Sequence, residues 1–270
     1  MPELPEVETT LRGIRPHVLG RRVEEVAVRA PRLRLPVPEL APRLVGRALE
    51  GLRRRGKYLL FAAGEGHLLL HLGMSGSLRI LPAAAPPGPH DHLDWTLEGG
   101  LCLRFTDPRR FGLVQWLQGD PLAHPLLAGL GPEPLGEAFT ADYLYRASRG
   151  RRVAVKAFLM DGRVVAGVGN IYANEALHRA GIRPLLPAGR LSRARCGRLV
   201  AALREVLAEA VAQGGTTLRD FVGGDGRPGY FAQALRVYGR AGAPCAGCGA
   251  PLREVRLAGR STVYCPRCQR

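Results

Sequence analysis

The chain has 270 residues, 46% of them hydrophobic, enough to fill two modest domains and too apolar for a disordered protein. Thirty-nine Lys and Arg against 23 Asp and Glu give a formal charge of +16, so the expected partner is a polyanion, either nucleic acid or an anionic membrane face. No stretch stays apolar over the roughly 18 residues of a membrane span, and the acidic front has no signal-peptide pattern, so a cytoplasmic protein is expected.

The first ten residues, MPELPEVETT, carry three glutamates and no base. Pro5 followed by Glu6 and Glu8 predicts a helix start whose acids complement the macrodipole. Pro2 becomes a free secondary amine if the initiator methionine is removed. Because an α-amine titrates near 7.7–8.0, about a tenth of it is neutral at pH 7, and Pro2 is a candidate nucleophile. Attack on an aldehydic or acetal carbon gives a cationic iminium that prepares an elimination. Glu3 beside it can serve as general acid or base. The plainer alternative is a helix start with a frayed Pro2, and the two are compatible because the helix would fix the terminus in space.

From about residue 20 to 118 the hydrophobic pattern is short and alternating, as in HLLLHLGMSGSLRIL (67–81), HLDWTL (92–97) and LCLRFTD (101–107). This predicts a sandwich or barrel of short strands, with PAAAPPGP (82–89) as a loop. Lys57, one of only two lysines, reads in isolation as a solvated strand end, and Met74 and Phe111 as core residues. The segment 119–136, with four prolines and four glycines, predicts a linker. Beyond it the period becomes helical. One helix is expected over NIYANEALHRAG (170–181), with Asn170 as cap, and another over 192–214, with Ser192 as N-cap and Gly214 past its end. Two helices joined by a glycine-rich turn suit DNA binding or a purely structural role.

CAGC (245–248) and CPRC (265–268) are two C-x-x-C pairs separated by 16 residues, the spacing of a zinc ribbon. Four thiolates close a tetrahedral site without an open position, so one structural Zn²⁺ on Cys245, Cys248, Cys265 and Cys268 is expected, and zinc catalysis is not. The intervening LREVRLAGRSTVY predicts two strands with Arg256 and Arg260 near the tip, placed to touch phosphate. Cys102 and Cys196 stand alone and read as buried.

PELPEVE, RRRGKYLL (53–60), HLGMSGSLRI (71–80), TDPRRFG (106–112), VGNIYANEAL (168–177), GGTTLRDF (214–221), GYFAQALRVYGR (229–240) and the ribbon occur in this order. With them, the chain closely resembles bacterial formamidopyrimidine-DNA glycosylase. The resemblance implies an α+β fold: a catalytic β-sandwich with its N-terminal helix (1–118), the linker (119–136), a helical helix-two-turn-helix domain (137–236) and a zinc finger (237–270). It implies a monomer acting on damaged double-stranded DNA in the bacterial nucleoid. The implied activity removes oxidised purines, 8-oxoguanine opposite cytosine and formamidopyrimidines, through a Pro2 Schiff base, followed by β- and δ-elimination.

Carried onto matching positions, the resemblance makes Glu3 the proton donor that helps open the sugar, Lys57 the group for the β step and Arg260 that for the δ step. Met74, Arg109 and Phe111 match the wedge that fills the gap left by a flipped base. Asn170 and Arg260 match phosphate ligands, His90 and Arg151 fall where the family touches DNA, and Lys156 matches a family lysine that lies near the DNA or serves the structure alone. The segment 217–230 corresponds to a loop over the extruded base, and its glycines predict mobility without DNA. Two alternatives are an endonuclease VIII-type glycosylase for oxidised pyrimidines and a non-catalytic zinc-ribbon damage binder. The Met74, Arg109 and Phe111 set argues against the first, and the intact MPE start against the second.

Overall fold

The computed structural model describes residues 2–216 and 234–270; the expected loop over 217–230 lies outside them. The chain divides into two compact units, Met1–Ala128 with the residues from Gln213, and Gly129–Ala212 with the C-terminal segment.

The first unit opens with α1 (Leu4–Val18), whose buried Val7, Leu11, Ile14 and Val18 recur every three or four residues and form one apolar stripe. Two four-stranded antiparallel sheets follow. One has β1 (Val23–Val28), β6 (Asp91–Leu97), β7 (Leu101–Thr106) and β5 (Ser77–Pro82), in that order across the sheet. The other has β2 (Gly51–Arg55), β3 (Tyr58–Ala63), β4 (Gly66–His71) and β8 (Leu113–Gln118). The short helix α2 (Ala41–Leu44) connects β1 to β2. Alternation decides which side chains face inward: Leu59, Phe61 and Ala63 from β3, Leu68 and Leu70 from β4, and Trp95, Leu103 and Phe105 from the opposite sheet share one core with the α1 stripe. This is the expected β-sandwich.

The second unit is helical, with α4 (Ala141–Ser148), α5 (Val155–Met160), α6 (Asn170–Arg179) and α7 (Arg193–Ala212). Ser192 Oγ accepts the Arg195 N–H at the start of α7, and Gly214 with φ +75 follows its end, so both expected boundaries are present. A hairpin, β9 (Arg253–Leu257) with β10 (Arg260–Tyr264), completes the unit. Asn174 on α6 accepts the Val263 N–H through Oδ1 at 3.1 Å, and Glu175 accepts the N–H groups of Arg236, Val237 and Tyr238 at 2.8–2.9 Å. Two buried polar side chains of one helix thus fasten the C-terminal segment to it.

The division between the two units falls within the segment 119–136, which is not an unstructured tether. It carries a 3₁₀ turn at Pro121–Ala123 and α3 (Pro125–Ala128), and its later half is docked, Gly131 N–H donating to Gly162 O and Pro132 O accepting from Ala166. Proline and glycine break long helices but allow single turns, which the surrounding backbone holds in place.

Candidate active site and nucleic-acid interface

Pro2 is buried and Glu3, 2% exposed, is the N-cap of α1. The Glu3 N–H donates to Glu6 Oε2 at 2.8 Å in a capping box. The other Glu6 oxygen accepts both the N–H and the hydroxyl of Thr216 at 2.9 Å. The backbone at the proposed nucleophile is therefore held by its own helix and by a residue 210 positions away. The N–H groups of the first turn place positive potential beside it.

Lys57 lies in the Gly56–Lys57 turn between β2 and β3 and is half-buried. Across β3 and β4, His71 is paired with Tyr58, its ring 4.8 Å away. His71 Nδ1 accepts the Gly73 N–H at 2.9 Å, so the proton of the neutral ring sits on Nε2. Burial, then the charges of Lys57 and Arg34, push its pKa down to about 4. His71 is thus a neutral donor near Lys57, and it was absent from the sequence candidates. The signal for it was the strand register, which puts His71 opposite the residue following Lys57.

The wedge candidates stand on two loops, 72–76 and 107–112. Asp107, fully buried, joins the two loops by accepting the Ser75 hydroxyl at 2.7 Å, the Gly112 N–H at 2.7 Å and the Arg109 N–H at 3.3 Å. Gly73 has φ +69, and a Cβ there would lie 2.5 Å from the Phe111 carbonyl carbon and the Gly112 nitrogen. Only glycine lets the two backbones touch. Phe111 is 46% exposed with the Arg109 guanidinium 5.0 Å from its ring centroid, so it is a presented side chain and not the core residue it resembles in isolation. Met74 is half-buried. His90 is exposed at the end of the β5–β6 connection, its carbonyl accepting the Asp107 N–H at 3.0 Å.

In the second unit, Arg260 is exposed where β9 turns into β10 through Ala258 and Gly259, both at positive φ. Arg151 is exposed after α4. One sequence expectation is revised here. The N-cap of α6 is Gly169, with Asn170 the first helical residue, its Oδ1 buried without a hydrogen-bond partner among the described residues. Lys156, grouped with the DNA contacts, is 1% exposed, and its ammonium donates to Ser261 O and Thr262 Oγ1, both at 2.7 Å. At that depth it braces the hairpin beside Arg260 from within.

The thiols of Cys245, Cys248, Cys265 and Cys268 lie within 4.8 Å of one another. Sγ separations of 3.9 Å (Cys245–Cys268) and 3.4 Å (Cys248–Cys265) bracket the roughly 3.8 Å edge of a tetrahedron with 2.3 Å Zn–S bonds. Backbone N–H groups of Gly247 and Cys268 point at Cys245 and Cys265 sulfur at 3.4 Å, and His178 Nε2 lies 3.5 Å from Cys245 Sγ. Four thiolates so surrounded fit one structural Zn²⁺.

The sequence profile of the formamidopyrimidine-DNA glycosylase N-terminal domain matches residues 1–114, that of its H2TH domain residues 130–222, and that of the zinc finger found in FPG and IleRS residues 242–270. The chain belongs to the formamidopyrimidine-DNA glycosylase family. Formamidopyrimidine-DNA glycosylases of Thioalkalivibrio sulfidiphilus and Stutzerimonas stutzeri are each 62% identical to it over the full length of both chains. The crystal structure of MutM (Fpg) from Thermus thermophilus is 46% identical, covers 99% of this chain and 98% of its own, and superposes with a TM-score of 0.90. A complex of a Lactococcus lactis Fpg mutant with Fapy-dG containing DNA, 33% identical and covering both chains fully, gives 0.93. Family membership accounts for the zinc ribbon and the sandwich; the residues above show how this chain builds them.

Proposed function

We propose that the protein removes oxidised purines from duplex DNA and then cuts the abasic strand, with Pro2 as nucleophile and as a monomer. The observation that carries this reading is the buried Pro2–Glu3 terminus, clamped by Glu6 at the head of α1. Solved relatives hold Fapy-dG containing DNA and carbocyclic 8-oxo-G containing DNA, which supports damaged DNA as the partner here.

The Pro2 nitrogen lone pair forms a bond to C1′ as the C1′–base bond breaks; the base leaves with that electron pair and takes up the proton that the Pro2 nitrogen sheds. Glu3 gives a proton to the ring oxygen as the sugar opens, leaving a Pro2 iminium. Loss of the C2′ proton then expels the 3′ phosphate, loss of the C4′ proton expels the 5′ phosphate, and water releases Pro2. Lys57 serves the first elimination. His71 beside it contributes an uncharged N–H, and Arg260 and Asn170 of the second unit contribute donors for phosphate. Met74 and Phe111 replace lost stacking, while the Arg109 donors suit the acceptors of an orphaned cytosine.

Oxidised pyrimidines are a second substrate class to test, because a Lactococcus lactis Fpg complex, 33% identical, holds an oxidized pyrimidine containing DNA. The deciding experiment is borohydride trapping on a duplex with one 8-oxoguanine opposite cytosine, followed by mass mapping. The expected result is a covalent adduct at Pro2 after loss of Met1, and none with Pro2→Gly. Full base release and cutting by Pro2→Gly would overturn the assignment.

A further inference from the structure

We infer that Arg104, a buried arginine of β7, is a positioning residue for the DNA-contacting rim: it holds the proline-rich β5–β6 connection so that His90 is presented in one place. The inference rests on the reading of His90 as a DNA contact.

The topology creates the need. In the sheet order β1–β6–β7–β5, the strands β5 and β6 flank β7, so the chain from Pro82 to His90 must cross over β7. That crossing is PAAAPPGPH, with prolines at 82, 86, 87 and 89 that have no N–H. It is mostly exposed and has few backbone donors, and its carbonyls need partners from outside the loop. Arg104 rises from β7 beneath it, 2% exposed and directly opposite Asp94 of β6 in the strand register.

All five guanidinium donors are used. Nε and Nη2 clasp Asp94 in a bidentate pair, each at 2.8 Å. Nη1 donates to Pro86 O at 2.9 Å and to Asp91 Oδ2 at 3.4 Å, and Nη2 also donates to Ala85 O at 2.8 Å. Asp91 completes the grip by accepting the Gly88 N–H at 2.7 Å on Oδ2 and the Thr106 hydroxyl on Oδ1. Arg29 adds a bond to Asp94 Oδ2 at 2.6 Å, so the buried carboxylates are matched by two guanidinium groups. A planar fork with five fixed donors can hold a carboxylate and two successive carbonyls together, which the point charge of a lysine cannot.

A merely structural ion pair would need only the aspartates. Here two donors are spent on carbonyls of an exposed loop that ends in His90, and the His90 carbonyl receives the Asp107 N–H. The same grip therefore continues into the residue that supports Arg109 and Phe111.

The test uses the full-length protein and compares Arg104→Lys, His90→Ala and the double variant for affinity toward an 8-oxoguanine duplex and for single-turnover base release at saturating DNA. Arg104→Lys is expected to keep the saturated rate while losing about tenfold in affinity, comparable to His90→Ala. The double variant is expected to bind no more weakly than His90→Ala alone. Independent, additive losses, or a saturated rate that falls with affinity unchanged, would overturn the positioning role. Should His90→Ala bind as tightly as the native protein, the DNA-contact reading of His90 fails, and the inference with it. If Arg104→Lys does not fold, Pro86→Gly with Pro87→Gly loosens the same loop without touching the buried carboxylates. The same affinity loss, absent in the His90→Ala background, is then expected, and unchanged affinity sinks the idea.

Discussion

The proposed wedge loops of the first unit and the Arg260 hairpin of the second solve one problem in opposite ways. Both must present exposed side chains in a fixed place. In the wedge, one buried carboxylate, Asp107, gathers three donors from two loops, and a glycine lets the backbones meet. In the hairpin, one buried ammonium, Lys156, gathers a carbonyl and a hydroxyl, and a cluster of four thiols closes the far end. An acid collects N–H and O–H donors and a base collects oxygens, so each unit uses the charge that complements the atoms its turns leave unpaired. The wedge depends on packing and hydrogen bonds alone, whereas the hairpin also depends on a metal.

That difference predicts what breaks each. Removing zinc by chelation, or Cys248→Ser, should have the largest effect, because structural zinc binding is worth about 10 kcal/mol or more. Duplex binding should be lost, and zinc release followed with a chromogenic chelator should track that loss. Survival of full affinity in zinc-free protein would break the comparison. Asp107→Ala leaves the Ser75 hydroxyl and the Gly112 N–H buried without an acceptor and should cost about 2–4 kcal/mol, read in denaturant unfolding. Preference for cytosine opposite the lesion should fall with it, while zinc content stays at one ion per chain. Lys156→Met should cost less, about 1–3 kcal/mol, since a flexible apolar chain fills the space but strands one carbonyl and one hydroxyl. Its mark should be weaker DNA binding with unchanged opposite-base preference, the reverse of Asp107→Ala.

The smallest effect is expected from His71. Its pKa in the folded protein, about 4, lies below its ordinary 6.5, so the unfolded chain binds the proton first. Its contribution to stability is complete above pH 6.5 and is lost as the pH falls toward 4. His71→Gln should flatten the fall in thermal midpoint between pH 6.5 and 5, where few carboxylates titrate. An unchanged slope would show that His71 is not held neutral.

Local spacing determined much of this protein. The two C-x-x-C pairs, the acidic helix start at Pro5, the alternating strands of the sandwich and the Ser192 cap each depend on residues a few positions apart, or on two motifs that share a ligand, and such patterns are written directly in the sequence. Pro2 and Glu3 were legible as a candidate nucleophile and acid in the sequence itself, while the proposed wedge came from resemblance, since Phe111 in isolation reads as core. Tertiary structure alone decided how the candidates are held. Asp107 reaches Ser75 across 32 positions, Lys156 reaches Thr262 across 106, and Arg104 reaches Ala85 across 19. In the sequence, Arg104 is simply one more base in a chain at +16. A buried charge is tolerated only where several distant groups converge to replace its water, and that convergence exists only once the strands and helices have packed.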